Sequence, residues 1–407
     1  MKPSNKMTGE IGAGYVTSPY RKGFGPLVTL TCAAMTQPIF ILVAALLCAF
    51  RADGQTVTWT GGNSYGSWSN TNNWNPKAVP LNGGGTTYTV IVPDANSLSF
   101  DVPGGGAIDA LSFGVGSQML VSNGQSLTVN GVAVIKGQIQ AKGAGSSFHA
   151  PANTVVLSSS PQFLATNGAT IAMGASTYSW DRSIGNATLL SASGTNSLVD
   201  LHGVSSMLLN GNNNPIYTIS ARTNGAVDLS GLANLSGPGG SGVLELNVDS
   251  GGQIKLDSAR QFSQNLRFNL GVPVYQLPQA VAMDSVTINQ TATGKLDATN
   301  LLTIADSTLN SATGGVYNLP ALASMASSTV NLTTGAVFAA PQLWSLNAVP
   351  VNIAGNGSFQ ASNLVSYINS TIPIQPGRDF ESGLLTNIYG SSISVRGGAS
   401  FRVAAAA

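Results

Sequence analysis

Large apolar residues recur every 21 positions in the C-terminal part of this chain. One such column contains only aromatic and aliphatic residues: Ile254, Tyr275, Leu296, Tyr317, Phe338, Phe359, Phe380 and Phe401. A globular core needs no fixed period, whereas a stack of equal coils places each side chain on its counterpart in the next coil. The spacing therefore predicts a solenoid with coils of about 21 residues.

Within each coil, apolar and polar residues alternate, as in Leu296-Asp297-Ala298 and Val330-Asn331-Leu332. A period of two is typical of a strand with one buried face. Turn residues such as Gly314-Gly315 separate these short runs. The pattern predicts an all-β fold, a parallel β-helix solenoid. We expect right-handed coiling because parallel strand connections have that hand.

A leucine-rich repeat is the main structural alternative, since its repeats of about 20–29 residues cover the observed period. Its pattern requires a second Leu three positions after the first, but Ser328 follows Met325 at that distance. Its Asn lies three positions after an apolar residue, whereas Asn331 directly follows Val330. The β-helix therefore fits the sequence better.

The N-terminal segment, residues 1–52, differs from the rest of the chain. Residues 39–50 are a continuous apolar run preceded by Arg21 and Lys22, which is typical of a signal peptide. We interpret residues 1–52 as a signal peptide or an N-terminal membrane anchor. Both cysteines of the chain lie in this segment. The remainder therefore has no disulfide and no cysteine-based metal site.

The rest of the chain divides by regularity. Residues 53–165 are β-rich without a readable period, and we interpret them as an N-terminal cap with irregular coils. Residues 166–407 are the solenoid repeats, regular from about Ile254. Earlier coils are looser, since Val199, Val227 and Ile254 align at wider and unequal spacings.

Charge is scarce. Only 8% of the residues are charged, against roughly 25% in ordinary domains. Five of the 17 Lys and Arg residues and one of the 16 acidic residues lie in residues 1–52, which leaves 12 basic and 15 acidic residues. Nucleic-acid binding normally needs a basic stripe, so the composition argues against it. No motif for a small-molecule cofactor is present.

Tryptophan and glycine dominate the segment after the leader. It contains Trp59-Thr60-Gly61-Gly62, then Trp68, Trp74 and Val79-Pro80. This segment resembles the start of the exported domain in bacterial β-strand-repeat surface proteins, including autotransporter-type passengers. The resemblance covers residues 59–80 and implies a secreted, adhesin-like β-solenoid at a bacterial cell surface. The three indole rings either cap the open end of the β-helix core or stack on sugars.

Charged residues align in three of the looser coils. Asp200, Asp228 and Lys255 occupy the same outward position. Two stacked carboxylates could act as an acid/base pair, because one of them would be driven to hold a proton. The alternative is that these outward charges are solvated. We expect them not to be catalytic, and we read His149 and His202 as ordinary residues without a metal.

A polar array follows the regular coils. Thr and Asn recur at the 21-residue period in Thr287, Asn289, Thr308, Asn310, Thr329 and Asn331. Such an array could match an ordered surface such as ice or crystalline polysaccharide. The alternative is structural, because Thr favours strands and stacked Asn side chains bond along a ladder.

Together these patterns predict a non-catalytic, secreted bacterial surface protein, a structural or adhesive module without metal or cofactor. Its expected partner is an extracellular glycan or a host or matrix surface. The alternative function is a carbohydrate-active β-helix enzyme, either a polysaccharide lyase or a glycoside hydrolase. A new coil begins at Phe401, shortly before Ala407. We therefore expect either a longer protein or end-to-end self-association with a second chain.

Overall fold

Short strands make up almost all of the regular structure in the computed structural model of this chain. The structure describes residues 54–181, 185–210, 212, 214–382 and 384–403. The leader expected at residues 1–52 and the last four alanines lie outside the described residues. In the described part of the chain, no helix is long and apolar enough to cross a membrane.

The strands of the first half follow one another at short intervals, with one 3-10 helix, Thr71–Asn73, between β2 and β3. Their bounds are Gly54–Trp59 (β1), Gly66–Ser67 (β2), Trp74–Asn75 (β3), Thr87–Val92 (β4), Ser97–Phe100 (β5), Gly106–Ile108 (β6), Ala110–Phe113 (β7), Gln118–Ser122 (β8), Ser126–Val129 (β9), Ala133–Ile135 (β10), Gln138–Lys142 (β11), Ser147–Ala150 (β12), Val155–Leu157 (β13), Gln162–Thr166 (β14), Thr170–Met173 (β15), Thr177–Trp180 (β16), Ala187–Ser193 (β17), Leu198–Asp200 (β18), Ser206–Leu209 (β19), Ile216–Arg222 (β20), Ala226–Asp228 (β21) and Asn234–Ser236 (β22).

The strands of the second half become shorter and more uniform. Their bounds are Val243–Asp249 (β23), Gln253–Lys255 (β24), Gln261–Ser263 (β25), Leu266–Gly271 (β26), Val274–Gln276 (β27), Ala282–Asp284 (β28), Val286–Gln290 (β29), Lys295–Asp297 (β30), Thr303–Ala305 (β31), Thr308–Asn310 (β32), Val316–Asn318 (β33), Ser324–Ala326 (β34), Thr329–Leu332 (β35), Val337–Ala339 (β36), Ser345–Asn347 (β37), Val351–Ile353 (β38), Ser358–Gln360 (β39), Ser366–Ile368 (β40), Thr371–Ile374 (β41), Asp379–Ser382 (β42), Ser392–Val395 (β43) and Ser400–Val403 (β44).

Three strands build each coil, and equivalent strands of successive coils pair in parallel. Face one is a 13-stranded sheet that takes every third strand from β2 to β38. Face two takes every third strand from β6 to β24 and then from β27 to β39. Face three contains β1, β3, every third strand from β4 to β19, and then every third strand from β22 to β40. The predicted parallel β-helix is confirmed, and the leucine-rich repeat is wrong.

The ladder of face one gives the length of each coil. Ile288 pairs with Leu309, and Leu309 pairs with Val330, so both steps equal the predicted 21-residue period. Leu190 pairs with Ile219, which is a longer step. The predicted period therefore holds in the C-terminal coils, and the longer steps belong to the predicted looser coils.

Coils of similar length are already present before residue 166, where the sequence shows no readable period. Leu98 pairs with Met119, Met119 with Ile139, and Ile139 with Phe163. These three steps are close to the later period but unequal. Stacked coils therefore begin within residues 53–165, the segment interpreted from the sequence as a cap with irregular coils.

The predicted apolar column lies inside the solenoid from Ile254 to Phe380, and its last member, Phe401, is only partly buried. Phe338 and Phe359 stack with ring centroids 4.8 Å apart and planes 9° apart. Two features depart from a simple rule of apolar residues inside and polar residues outside. Gln290 and Ser311 occupy inward positions and are buried despite their polarity. Ile388, which lies 21 residues after the buried Tyr367, is 55% exposed.

Buried serines fix the corner between faces three and one. The hydroxyl of Ser307 donates to the Ala305 carbonyl at 2.5 Å and accepts from the Val286 N–H at 3.1 Å. Ser328 repeats both bonds one coil later, with the Ala326 carbonyl and the Ser307 N–H. Each hydroxyl thus satisfies backbone groups that the turn removes from the strand ladder.

We expect Phe338→Ala to lower the free energy of unfolding by about 3–5 kcal/mol, because its fully buried ring leaves a cavity. Phe401→Ala should cost clearly less, since that ring is only partly buried. Urea unfolding followed by far-UV circular dichroism measures both changes. Equal losses in the two variants would contradict the placement of Phe338 at the centre of the stack.

Candidate functional site

Outward Thr and Asn side chains form two parallel rows on face one. Thr287, Thr308 and Thr329 are strand partners in β29, β32 and β35. The Asn two residues later in each of these strands is paired in the same way. Since neighbouring strands lie about 4.8 Å apart, each row repeats at that spacing along the solenoid axis. We call these two rows, with the Asn residues that extend them, the polar face.

The Asn side chains of the polar face form a continuous amide ladder. Each Nδ2 donates to the Oδ1 of the Asn one coil earlier, with donor-to-acceptor distances between 2.7 and 2.9 Å. The members are Asn247, Asn269, Asn289, Asn310, Asn331 and Asn352. An amide has two N–H donors and two acceptor lone pairs. Each inner Asn therefore keeps one donor and one acceptor position outside the ladder.

The Thr hydroxyls are chemically different from the amides beside them. Within the described part of the chain, Thr287, Thr308 and Thr329 make no side-chain hydrogen bond to protein. A hydroxyl can donate once and accept twice. The Thr row therefore presents unused hydrogen-bonding groups next to a row whose members are already oriented by one another.

Sequence reasoning identified only part of the ladder. Asn247 and Asn269 belong to it, but the steps from Asn247 to Asn269 and from Asn269 to Asn289 depart from the 21-residue period by one position each. The local signal is an Asn between two apolar residues, as in Leu246-Asn247-Val248. Searching for that triplet instead of a fixed spacing would have found both residues.

An ion pair borders the Thr row. Arg267 pairs with Thr287 in the ladder, and Glu245 pairs with Arg267. Arg267 Nη1 lies 2.6 Å from Glu245 Oε1. The neutral part of the polar face therefore begins at Thr287 and continues through the later coils.

The three tryptophans fill the interior of the first coil. Trp74 packs edge-on against Trp59 and Trp68, with ring centroids 4.9 and 4.8 Å away. All three rings are buried. A Cβ on Gly61 would lie 2.5 Å from the Trp59 ring, which explains the glycine there. In this structure the rings offer no face to a sugar, and their burial fits the predicted cap.

The predicted charged column is present on face two. Asp200 pairs with Asp228, and Asp228 pairs with Lys255. Lys255 Nζ lies 3.0 Å from Asp228 Oδ2, while the Ser230 N–H donates to Asp228 Oδ1 at 3.1 Å. His202 Nδ1 lies 2.6 Å from Asp200 Oδ1. Each carboxylate therefore has its own cationic or potentially cationic partner.

These partners determine the protonation of the column. Burial raises the pKa of Asp228, but hydrogen bonds from Ser230 and Lys255 outweigh it and leave that pKa below its usual value. The hydrogen bond to Asp200, with its negative charge, raises the pKa of His202. Asp228 is therefore ionised at neutral pH and does not hold the proton that a general acid needs.

His149 lies in the same outward column, two coils before Asp200. Burial lowers its pKa. Among the described residues, no group of three or more His, Cys, Asp or Glu side chains comes together in a way that could hold a metal ion.

Comparisons with protein-family models, with characterised proteins and with solved structures gave no match for this chain. The polar face and the charged column therefore have to be interpreted from their own geometry.

We expect Asn310→Ala to destabilise the protein by about 1–2 kcal/mol, because it removes two amide hydrogen bonds from the middle of the ladder. Thr308→Val, in the same strand, should be nearly neutral, since its hydroxyl bonds to no described protein group. Urea unfolding of both variants measures the difference. A neutral Asn310→Ala would show that the ladder contributes nothing to stability.

We expect Asp200→Asn to lower the pKa of His202 toward its ordinary value of about 6.5. Because the folded-state pKa of His202 is raised, the ion pair stabilises the fold at pH values below about 6.5. This stabilisation is lost as the pH rises through the folded-state pKa. NMR titration of both histidines measures the change, and His149 should titrate unaltered. An unchanged His202 pKa would contradict the ion pair.

Proposed function

We propose that this chain is a non-catalytic, secreted surface protein of a bacterium, a structural or adhesive β-solenoid that binds an ordered extracellular polymer through its polar face. The observation that carries the proposal is the unbroken Asn ladder beside a row of unused Thr hydroxyls. Both rows repeat at the strand spacing of about 4.8 Å. A repeating polymer, such as a glycan or a matrix surface, can satisfy such groups in register.

The ladder would orient the binding groups before any contact forms. Each inner amide is held by two hydrogen bonds. Binding then costs little additional side-chain entropy, which is the usual loss when flexible polar groups are ordered at an interface. Many weak, equally spaced contacts would add up to firm attachment, as in other multivalent binding.

The distribution of charge supports adhesion through hydrogen bonds and shape over adhesion through charge. From Thr287 onward the polar face consists of neutral side chains, and the whole chain is only 8% charged. Recognition would depend on hydrogen bonds and shape, which persist at the salt concentrations that screen surface charges. A neutral or weakly charged polysaccharide is the preferred partner on this argument.

Export to a bacterial surface rests on the sequence. The apolar run at residues 39–50 fits a signal peptide or an anchor, and the Trp- and Gly-rich segment at residues 59–80 resembles exported β-strand-repeat proteins. The parallel β-helix is compatible with that resemblance.

The charged column is the best candidate for catalysis, and its contacts favour a structural role. Lys255 and Ser230 occupy both oxygens of Asp228, and Asp200 is bonded to His202. Outward charges that pair along a ladder stabilise neighbouring strands by a few tenths to about 1 kcal/mol. The column is therefore assigned to the wall of the solenoid, and the enzyme reading stays the alternative.

The test is binding of the full chain to a glycan array and to insoluble polysaccharides, with reducing-sugar release measured in parallel. Thr308→Lys should weaken adsorption about tenfold, because it places an unpaired charge under the bound polymer. Thr303→Lys is the matched control, since Thr303 is an exposed strand residue on face three of the same coil. Equal effects of the two variants would overturn the polar face as the binding surface. Sugar release that disappears in Asp228→Asn would overturn the non-catalytic assignment.

A further inference from the structure

The hydrogen-bonded ladder of face two stops at β39 and resumes only with the pair β42 and β44. Ring stacking is interrupted at the same place. Phe359 stacks on Phe338, and Phe380 stacks on Phe401 with centroids 5.8 Å apart. Phe359 and Phe380, which the 21-residue period makes neighbours, form no ring contact with each other in the described structure. Two successive coils are therefore separated along face two.

A cleft of about 580 Å³ opens at this separation and extends over the outer surface of the two preceding coils, where Asn318 and Ala339 line it. The rings of Phe359 and Phe380 line it together with Ile374 from the core side. Gln360 and Arg378 line it from the outer side. The cleft therefore leads from the surface of face two toward the apolar interior.

Arg378 lies at the position where the coils do not close. The residue two positions before each inward residue of face two is small in the preceding coils: Gly294, Gly315, Ala336 and Gly357. Space at these positions is tight, since a Cβ on Gly294 would lie 2.3 Å from the Val272 carbonyl oxygen. Arg378 takes the next position in this column. Its side chain is exposed, and Nη2 donates to the Asn356 carbonyl at 3.3 Å.

Face one shows a related interruption beside the cleft. Its long ladder ends at β38, and β41 pairs with β43 in a separate sheet. Pro373 lies in β41 and has no N–H to give to a ladder. The Gln375 side chain takes over one bond, because its Nε2 donates to the Ile353 carbonyl at 2.7 Å. This bond and an isolated bridge between Pro350 and Thr371 tie the two coils on face one, whereas no ladder pair joins β39 to β42 on face two.

The free edge of β39 carries backbone groups that point into the cleft. The Ser358 N–H donates to the Ala336 carbonyl, and the Gln360 carbonyl accepts from the Ala340 N–H. Both bonds run toward the preceding coil. Successive residues of a parallel strand direct their backbone groups to opposite sides. The N–H and carbonyl of Phe359 therefore face the cleft, opposite the free edge of β42.

We propose that this cleft binds an extended polypeptide strand, which pairs with β39 on one side and with β42 on the other. Two facing strand edges require a ligand with alternating N–H and carbonyl groups along both of its sides, and a peptide supplies them. An apolar side chain of the ligand would lie between Phe359 and Phe380. Its neighbours in the ligand would be polar and point outward. This site is independent of the polar face on face one.

A fluorescent peptide with the sequence of residues 333–342 is the probe. This segment contains β36, which pairs with the other edge of β39 and already places Phe338 on Phe359. Fluorescence anisotropy should show saturable binding to the full chain. The same peptide, N-methylated at its three central residues, should bind at least about tenfold more weakly because it lacks the ladder donors. Absence of binding, or equal binding of the methylated peptide, would overturn the proposal.

Arg378→Gly tests the site without removing a buried side chain. It restores the small residue of the column, so the coils should close, amide exchange at Phe359 should slow, and peptide affinity should fall at least about tenfold. Arg396→Gly, at an exposed turn near the same end, is the matched control and should change neither quantity. Unchanged peptide affinity in Arg378→Gly would overturn the proposal. Displacement of the peptide by a neutral oligosaccharide would instead assign the cleft to a glycan and also overturn it.

Discussion

The parallel hydrogen-bonded ladder between coils is the constraint on which the rest of this structure depends. It holds equivalent strands about 4.8 Å apart, so each side chain lies directly on its counterpart in the next coil. Inside, this rule favours residues that stack, such as Phe338 on Phe359. Outside, it favours side chains that donate to their own kind, such as Asn289 and Asn310. The aromatic column and the amide ladder therefore have the same physical cause.

The ladder requires the strands to keep their register, whereas the corners between them can vary in length. The strands of face one remain paired through β17, β20 and β23, with one register shift between Thr188 and Leu190, although those coils are longer than the regular C-terminal ones. Other extra residues lie at corners, as residues 237–240 do between β22 and β23. Loop length changes stability only slowly, whereas a shift of one residue in a strand would expose its apolar side.

The sequence predicts the columns well and the corners poorly. Large residues at a strict period, such as Phe338 and Phe359, have no simple explanation other than stacking. Before residue 166 the inward positions include small residues such as Ala141 and Ala165, and the coil length varies. A small residue at a varying spacing leaves no periodic signal, so the early coils could not be recognised from the sequence.

The candidate sites show the same limit. The two rows that contain Thr308 and Asn310 could be predicted, because both repeat at the 21-residue period. Whether the Trp68 ring is buried could not be predicted, since an indole ring at the end of a β-helix can either cover the core or face a ligand. Packing decides it, through the edge-on contacts with Trp74 and Phe100. The pairing of His202 with Asp200 depends on side-chain conformation, which the spacing of residues does not specify.

This architecture can be interrupted at one place because closure of each coil is a local event. The small-residue column that ends at Gly357 is broken at Arg378 and restored one coil later at Ala399. The hydrogen-bonded ladder is interrupted and restored at the same coils as this column. It is missing between β39 and β42, and it is present again between β42 and β44, where Phe380 stacks on Phe401. Nearest-neighbour contacts dominate in a solenoid, so a coil that fails to close on one neighbour can still close on the next. An opening in the wall of a β-helix can therefore be local, while the coils on either side keep their register.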